Sequence, residues 1–423
     1  MVKHTSLSRF RQKLLALGPG IVTGASDDDP SGIATYSQAG AQFGFLSLWT
    51  AWLTFPLMAN IQGMCARIGM VTGHGLTVTL KNEYPRFILY LTLLFSFPAI
   101  TLNIGADIQA MGAVAHMLWP FVPVPVFSIV FTALLMFMII QFPYLRIARI
   151  LKWLCLSLLL YMIVPFLVTQ DWSAVLKHTF LPQVHLDENF ISIMVAILGT
   201  TISPYLFFWQ ATMEAEDRSH RHRRLVVNKR LLNDVRTDVN LGMFLSNLVM
   251  YFIILTTASV LNAGGIHDIQ TVEQAAQALK PLAGRFSYLV FSIGVLGTGF
   301  LAIPVLAGSQ SYMLAETLNW QSGLDKKFSK AKPFYITIIV SLTVGLLLHF
   351  LQISPIKALL YTAILYGLTA PVLIGVILHV SNNKLIMRKF VNTKTDNVIG
   401  VLAFLLMTAA AVALLWLQLK PSF

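Results

Sequence analysis

The sequence predicts an all-α polytopic membrane protein, and three observations predict it. Hydrophobic residues make up 56% of the 423 and charged residues 11%, against roughly 25% charged in soluble domains. A mean hydropathy of +0.71 is too high for one globular core to absorb without large exposed apolar patches. The apolar residues also fall in windows of about 20, the length a helix needs to cross about 30 Å of hydrocarbon. Lipid is therefore the solvent for much of the surface, so soluble-enzyme and nucleic-acid-binding classes fall away.

Eleven such windows can be laid along the chain. The first, near 14–42, is interrupted by SDDDPSG at 26–32, leaving Leu14–Ala25 and Ile33–Ala41 as half-helices. Unbroken windows follow near 46–69, 87–113, 123–142 and 147–169. The sixth, 189–212, carries GTTISP at 199–204, where Gly199 and Pro204 bracket three hydroxyl-bearing residues. The remaining five lie near 239–261, 286–312, 334–351, 357–380 and 397–418. The longest connections, 213–238 and 313–333, are short and basic. Residues 1–423 thus read as one transmembrane domain: a first set of five helices over 1–170, a second over 189–380, and an extra helix at 397–418.

The formal charge of +12 would ordinarily raise nucleic acid as a partner, but the basic residues are scattered between apolar runs. Topology explains them better. With eleven crossings, all Lys and Arg except Lys177, Lys280, Arg285, Lys357 and Lys420 fall on the side of the N-terminus. The positive-inside rule then puts the N-terminus in the cytoplasm and the C-terminus outside. Cys65 and Cys155 lie inside apolar stretches with no metal or redox spacing and read as buried thiols. The basic N-terminus runs into the broken first span without a small-residue cleavage site, so no signal peptide is expected.

The two interrupted spans open the two sets of five. Proline removes a backbone donor and clashes with the preceding turn, so carbonyls and amides freed at membrane depth must find other partners. Broken helices in matching positions mark the substrate site of an inverted-repeat secondary transporter. Asp27, Asp28 and Asp29 fill the first break, where an ionised side chain costs at least about 2.5–3.5 kcal/mol near the bilayer centre. A visiting cation explains them. Asp29, beside Pro30, is the expected ligand, with Asp27 and Asp28 on the approach or exchanging protons. Thr200, Thr201 and Ser203 offer hard oxygens at the second break, suited to Mg²⁺, Ca²⁺ or Mn²⁺. In the third span, Asn103 and Asp107 share a helix face, with Gln109 on another, and Asp107 is placed on the permeation path. Glu214, Glu216 and Asp217 read as a solvated helix end. The ten histidines form no close ligand set, and the methionines read as packing.

GPGIVTGASDDDPSGIATYSQAGAQFG at 18–44 resembles the first transmembrane helix of the Nramp divalent-metal transporters, whose pattern runs GPG, eight residues, DPGN, then QAGAQ(Y/F)G. GTTISPYLFFWQA at 199–211 is similar to the family's sixth-helix GATVMPHN stretch, and LAGSQSYMLAETL at 306–318 to its eighth-helix run containing GQSS. The resemblance covers nearly the whole chain. It implies the LeuT-type fold: two inverted five-helix repeats, broken helices 1 and 6, and an eleventh helix.

The resemblance also places the site, with departures. The family's metal-binding Asp falls on Asp29, which is kept, while the Asn of DPGN falls on Gly32. The methionine that favours transition metals falls on Ser203. The residue that lends a backbone carbonyl falls on Thr200, and a tenth-helix glutamine falls on Thr369. The histidine tied to proton movement falls on Tyr205, a second on Gln210, and an acidic residue of the third helix near Gln109. Losing the thioether and the Asn leaves a larger, all-oxygen site. That suits an ion that keeps several waters, which is Mg²⁺ behaviour. The sequence therefore looks like the prokaryotic branch of Nramp-related magnesium transporters. The expectation is an inner-membrane secondary transporter of hydrated Mg²⁺, also of Mn²⁺, by alternating access, weakly or not proton-coupled. It is no enzyme and carries no cofactor. Its partners are the ion and the bilayer, and a monomer is compatible with the sequence. The rivals are a proton-coupled Mn²⁺ or Fe²⁺ importer, an organic-solute or anion symporter on the same fold, and a non-transporting sensor.

Overall fold

Pro30 and Pro204 each stand at the first position of a helix, where the missing N–H costs nothing, and each comes directly after the end of another helix. The computed structural model describes residues 18–143, 156–220, 227–348 and 353–419. The first span is α1 (Pro19–Asp27) and α2 (Pro30–Phe43), separated by two residues. Then come α3 (Trp49–Thr72), α4 (Leu76–Glu83), α5 (Arg86–Leu118), α6 (Val124–Gln141) and α7 (Trp172–Phe180). The sixth span is α8 (Glu188–Thr201) and α9 (Pro204–His220). After it run α10 (Lys229–Thr257), α11 (Ser287–Leu318), α12 (Lys332–Leu347), α13 (Pro355–Asn382) and α14 (Lys394–Leu419).

Both breaks are narrower than the sequence suggests. The seven residues at 26–32 reduce to Asp28 and Asp29, and the six at 199–204 to Ile202 and Ser203. At the first break Asp29 caps the helix that Pro30 starts, and at the second Pro204 restarts the helix directly after Ser203. Among the described residues, seven helices are long and apolar enough to cross a membrane. Of the other expected spans, the first is divided by its break, α3 is diluted by Asn60, Gln62 and Arg67, and α12 has 16 residues.

The fifth span departs from expectation. Residues 147–155, Cys155 among them, lie outside the described part, and the remainder of the span is 3₁₀ helix at Leu156–Met162 and Val164–Phe166. Pro165 has no N–H for the carbonyl of Tyr161, which instead accepts the Thr256 hydroxyl at 2.8 Å. The connections are also more helical than expected, since α9 runs to His220, α10 starts at Lys229 and α11 runs to Leu318.

The first span packs on α10 and the sixth on α3, while α8 also lies along α13. The first two contacts correspond when the first set of five is exchanged with the second, as a repeat requires. Backbones meet closely at glycines. A Cβ on Gly24 would lie 2.3 Å from the Gly242 carbonyl oxygen, and one on Gly199 would lie 2.1 Å from that of Ala363. The sixth span is the centre of the bundle: 94% of its most apolar window is buried, against 22% for α6 and 28% for α14. Exposed Phe137, Ile129, Leu405 and Val412 make those two helices part of the lipid-facing surface.

Candidate metal-ion site

At the first break α1 ends on Asp27, and Asp29, in extended conformation, caps α2. Its Oδ1 accepts the Gly32 N–H at 2.8 Å and the Ser31 hydroxyl at 2.7 Å, a role for which Asp is among the preferred residues. Its Oδ2 accepts the side-chain amide of Asn103 on α5 at 2.9 Å. That amide also lies 3.4 Å from Asp107 Oδ2, and the Asn103 carbonyl accepts the Thr362 hydroxyl of α13 at 2.9 Å. A chain of polar groups thus links α2, α5 and α13.

Asp27 and Asp28 turn the other way. Ser246 on α10 places its hydroxyl 2.6 Å from Asp27 Oδ2 and 3.2 Å from Asp28 Oδ1. All four aspartates are buried, and none pairs with a Lys or Arg among the described residues. One oxygen each of Asp27 and Asp107 has no hydrogen-bond partner among the described residues. Among the described residues no three His, Cys, Asp or Glu side chains are placed to hold one ion. An ion at Asp29 would therefore meet one carboxylate and neutral oxygens rather than a carboxylate cage.

The second break adds hydroxyls and backbone. Thr200 Oγ1 is 3.5 Å from Ser31 Oγ, which joins the two breaks. A Cβ on Gly32 would be 3.4 Å from both Thr200 Oγ1 and the Asp27 carbonyl oxygen. Ser203 turns its hydroxyl back onto the carbonyls of Gly199 and Thr200, and Thr369 donates to those of Leu365 and Tyr366. The carbonyl ends of α1 and α8 and the amide ends of α2 and α9 all face the breaks, giving partial charges of both signs at one depth.

A family model described as natural resistance-associated macrophage protein-like matches residues 20–417. The chain belongs to the Nramp family. The divalent metal cation transporter MntH of Caldanaerobacter subterraneus subsp. tengcongensis is 24% identical over 421 residues, covering 97% of this chain and 95% of that one. The MntH of Mycobacterium tuberculosis is 23% identical over 408 residues, covering 95% and 91%. Among solved structures, the Eremococcus coleocola manganese transporter in complex with an aromatic bis-isothiourea substituted compound superposes with a TM-score of 0.76 at 16% identity, covering 99% of this chain and 88% of that one. Mhp1, a nucleobase-cation-symport-1 family transporter, gives 0.58 at 14%, covering 96% and 94%. At these identities the likenesses show the fold, which is LeuT-type. Nramp membership makes the protein a membrane transporter rather than an enzyme.

In this Nramp chain the two expected proton-path positions are held by other bonds. Tyr205 donates to the Ser26 carbonyl at 2.9 Å, closing one carbonyl freed at the end of α1. Gln210 accepts the Thr23 hydroxyl at 2.6 Å and donates to Glu214 at 2.9 Å. Glu214 is therefore buried rather than the solvated helix end expected, and Glu216 accepts the Tyr312 hydroxyl at 2.8 Å. Gln109 is not drawn to the aspartates. It donates to the Ile353 carbonyl at 2.7 Å, ahead of α13. Sequence reasoning missed Ser246 and Thr362, which hold Asp27 and Asn103. The available signal was a hydroxyl in an otherwise apolar window, which many packing residues share.

Proposed function

We propose that this Nramp protein is a secondary transporter of divalent cations that carries hydrated Mg²⁺, and Mn²⁺ with it, by alternating access around the two breaks. The observation behind this reading is the set of four buried aspartates with no Lys or Arg partner among the described residues, two of them with an unpartnered oxygen. Such groups are sustained at membrane depth by a visiting cation or by protons. The groups that bond these aspartates are hydroxyls, an amide side chain and backbone N–H, with no thioether among them. A hard ion that keeps part of its water fits such a site better than a soft one. We place the ion between Asp29 and the Thr200 side of the second break, with Gly32, Ser203 and Thr369 around it and no cofactor required. The N-terminus is assigned to the cytoplasm on the distribution of basic residues.

The similar Eremococcus coleocola structure is named a manganese transporter, and one experiment separates the readings. Purified protein in liposomes is tested for uptake of Mg²⁺, Mn²⁺ and Ca²⁺ under several pH gradients. The proposal expects Mg²⁺ uptake, competition between Mg²⁺ and Mn²⁺, and little response to the gradient. Mn²⁺ uptake that ignores millimolar Mg²⁺ would replace it with a transition-metal importer.

A further inference from the structure

A cleft of about 570 Å³ runs along α3 from Phe55 to Arg67, beside the starts of α10 and α14. One face of α3 forms its floor, with Phe55, Ala59, Gly63 and Arg67 following at intervals of four. Those residues share a helix face, and Phe55 and Arg67 stand about 18 Å apart along the axis at 1.5 Å per residue. The two ends differ in chemistry. Phe55, Pro56, Ala59 and Ile399 line one end, with Pro56 exposed. Arg67, Lys229, Arg236 and Lys389 line the other, and Asp396 is the one carboxylate among the lining residues.

Asp396 sets the basic end in place. It is 2% exposed, and its two oxygens take Arg67 at 3.1 Å and Arg236 at 3.4 Å, which holds the two guanidinium groups side by side. Arg67 Nε is buried with no hydrogen-bond partner among the described residues, and Lys229 and Lys389 are exposed at the rim. The middle of the floor is open because a Cβ on Gly63 would meet nothing within 4 Å.

We propose that this cleft binds an anionic diacyl phospholipid, its phosphate on the cationic end and one acyl chain along Phe55 to Gly63. The length and the apolar-to-basic gradient match a lipid standing in one leaflet. A soluble phosphate would use only the basic end. Basic pockets between transmembrane helices recognise such head groups by charge.

The test titrates the full-length protein in neutral detergent with dioleoylphosphatidylglycerol, dioleoylphosphatidylcholine and inorganic phosphate, and counts retained adducts by native mass spectrometry. The anionic lipid should be retained in preference to the zwitterionic one. Lys229→Gln with Lys389→Gln, both exposed and outside the ion pairs, should weaken retention about thirtyfold, taking the usual contribution of each surface cation. Gly63→Leu keeps every charge and fills the open floor, so it should also lose the lipid while melting at or above the wild-type temperature. Equal retention of the two lipids, or unchanged affinity in the double lysine variant, would overturn the proposal. So would retention insensitive to Gly63→Leu but displaced by inorganic phosphate, which would mark a site for soluble phosphate.

Discussion

Asp29 has two tasks that one substitution separates. It caps α2 through the Gly32 N–H and it supplies the carboxylate next to the Thr200 side of the second break. Asparagine caps helices about as well as aspartate, so Asp29→Asn should still fold, its melting temperature lowered by no more than the loss of the one hydrogen bond from Asn103. Divalent uptake should nevertheless fall by about tenfold or more, the equivalent of about 1.4 kcal/mol. Uptake at the wild-type rate would remove Asp29 from the site. Selectivity rests on the positions that have lost their family ligands. A Cβ at Gly32 would make ordinary contacts at 3.4 Å, and Ser203 spends its hydroxyl on its own helix. Gly32→Asn with Ser203→Met puts an amide and a thioether at these positions and should move preference from Mg²⁺ toward Mn²⁺ or Cd²⁺. An unchanged ratio of Mg²⁺ to Cd²⁺ flux would show that residue 203 does not face the ion. Asp29 was legible in the sequence because three acids and a proline interrupt an apolar run. Ser246 and Thr362 were not, because their partners lie more than 200 residues away in the chain.

At the scale of elements, the two breaks were legible from proline and polar residues inside spans, but their width was not. A helix restarted by an Asp-Pro cap needs only two residues out of register, and that depends on backbone angles rather than composition. The 3₁₀ turns of the fifth span were equally hidden. Pro165 leaves the Tyr161 carbonyl without its helical donor, and the hydroxyl that takes it comes from Thr256 on another helix. What holds the first half-helix is close backbone contact, since Gly24 faces the Gly242 carbonyl with no space for a methyl group. Gly24→Ala should then destabilise the protein by about 1–3 kcal/mol, as overpacking does. Gly63→Ala, with open space around it, should be neutral or stabilise by about 0.5–1 kcal/mol through helix propensity. Thermal melting of the two variants in the same detergent makes the comparison. Equal effects would mean that α1 is not seated on α10 by that contact.

For the whole molecule, the question is whether ion movement drags protons with it. The fold brings both substituted positions onto the same polar line: Tyr205 bonds to the end of α1, and Gln210 bridges Thr23 and Glu214. A phenol with a reference pKa of about 10 is a poor carrier near neutrality, and an amide carries no proton at all. These side chains fasten the sixth span to the first, a role that survives without titration. Histidine, the usual carrier in this pH range, is absent from both positions. The remaining candidates are the aspartates with an unpartnered oxygen, Asp27 and Asp107, together with Asp28, which shares the Ser246 hydroxyl. Liposomes loaded with a pH-sensitive dye and given Mg²⁺ or Mn²⁺ outside should take up metal with little change in lumenal pH. The change should be no larger than in liposomes carrying Asp29→Asn protein. Acidification in fixed proportion to metal uptake would instead establish coupling. In that case Asp27→Asn, Asp28→Asn and Asp107→Asn should be compared singly, and the carrier is the residue whose neutralisation abolishes acidification while metal still enters.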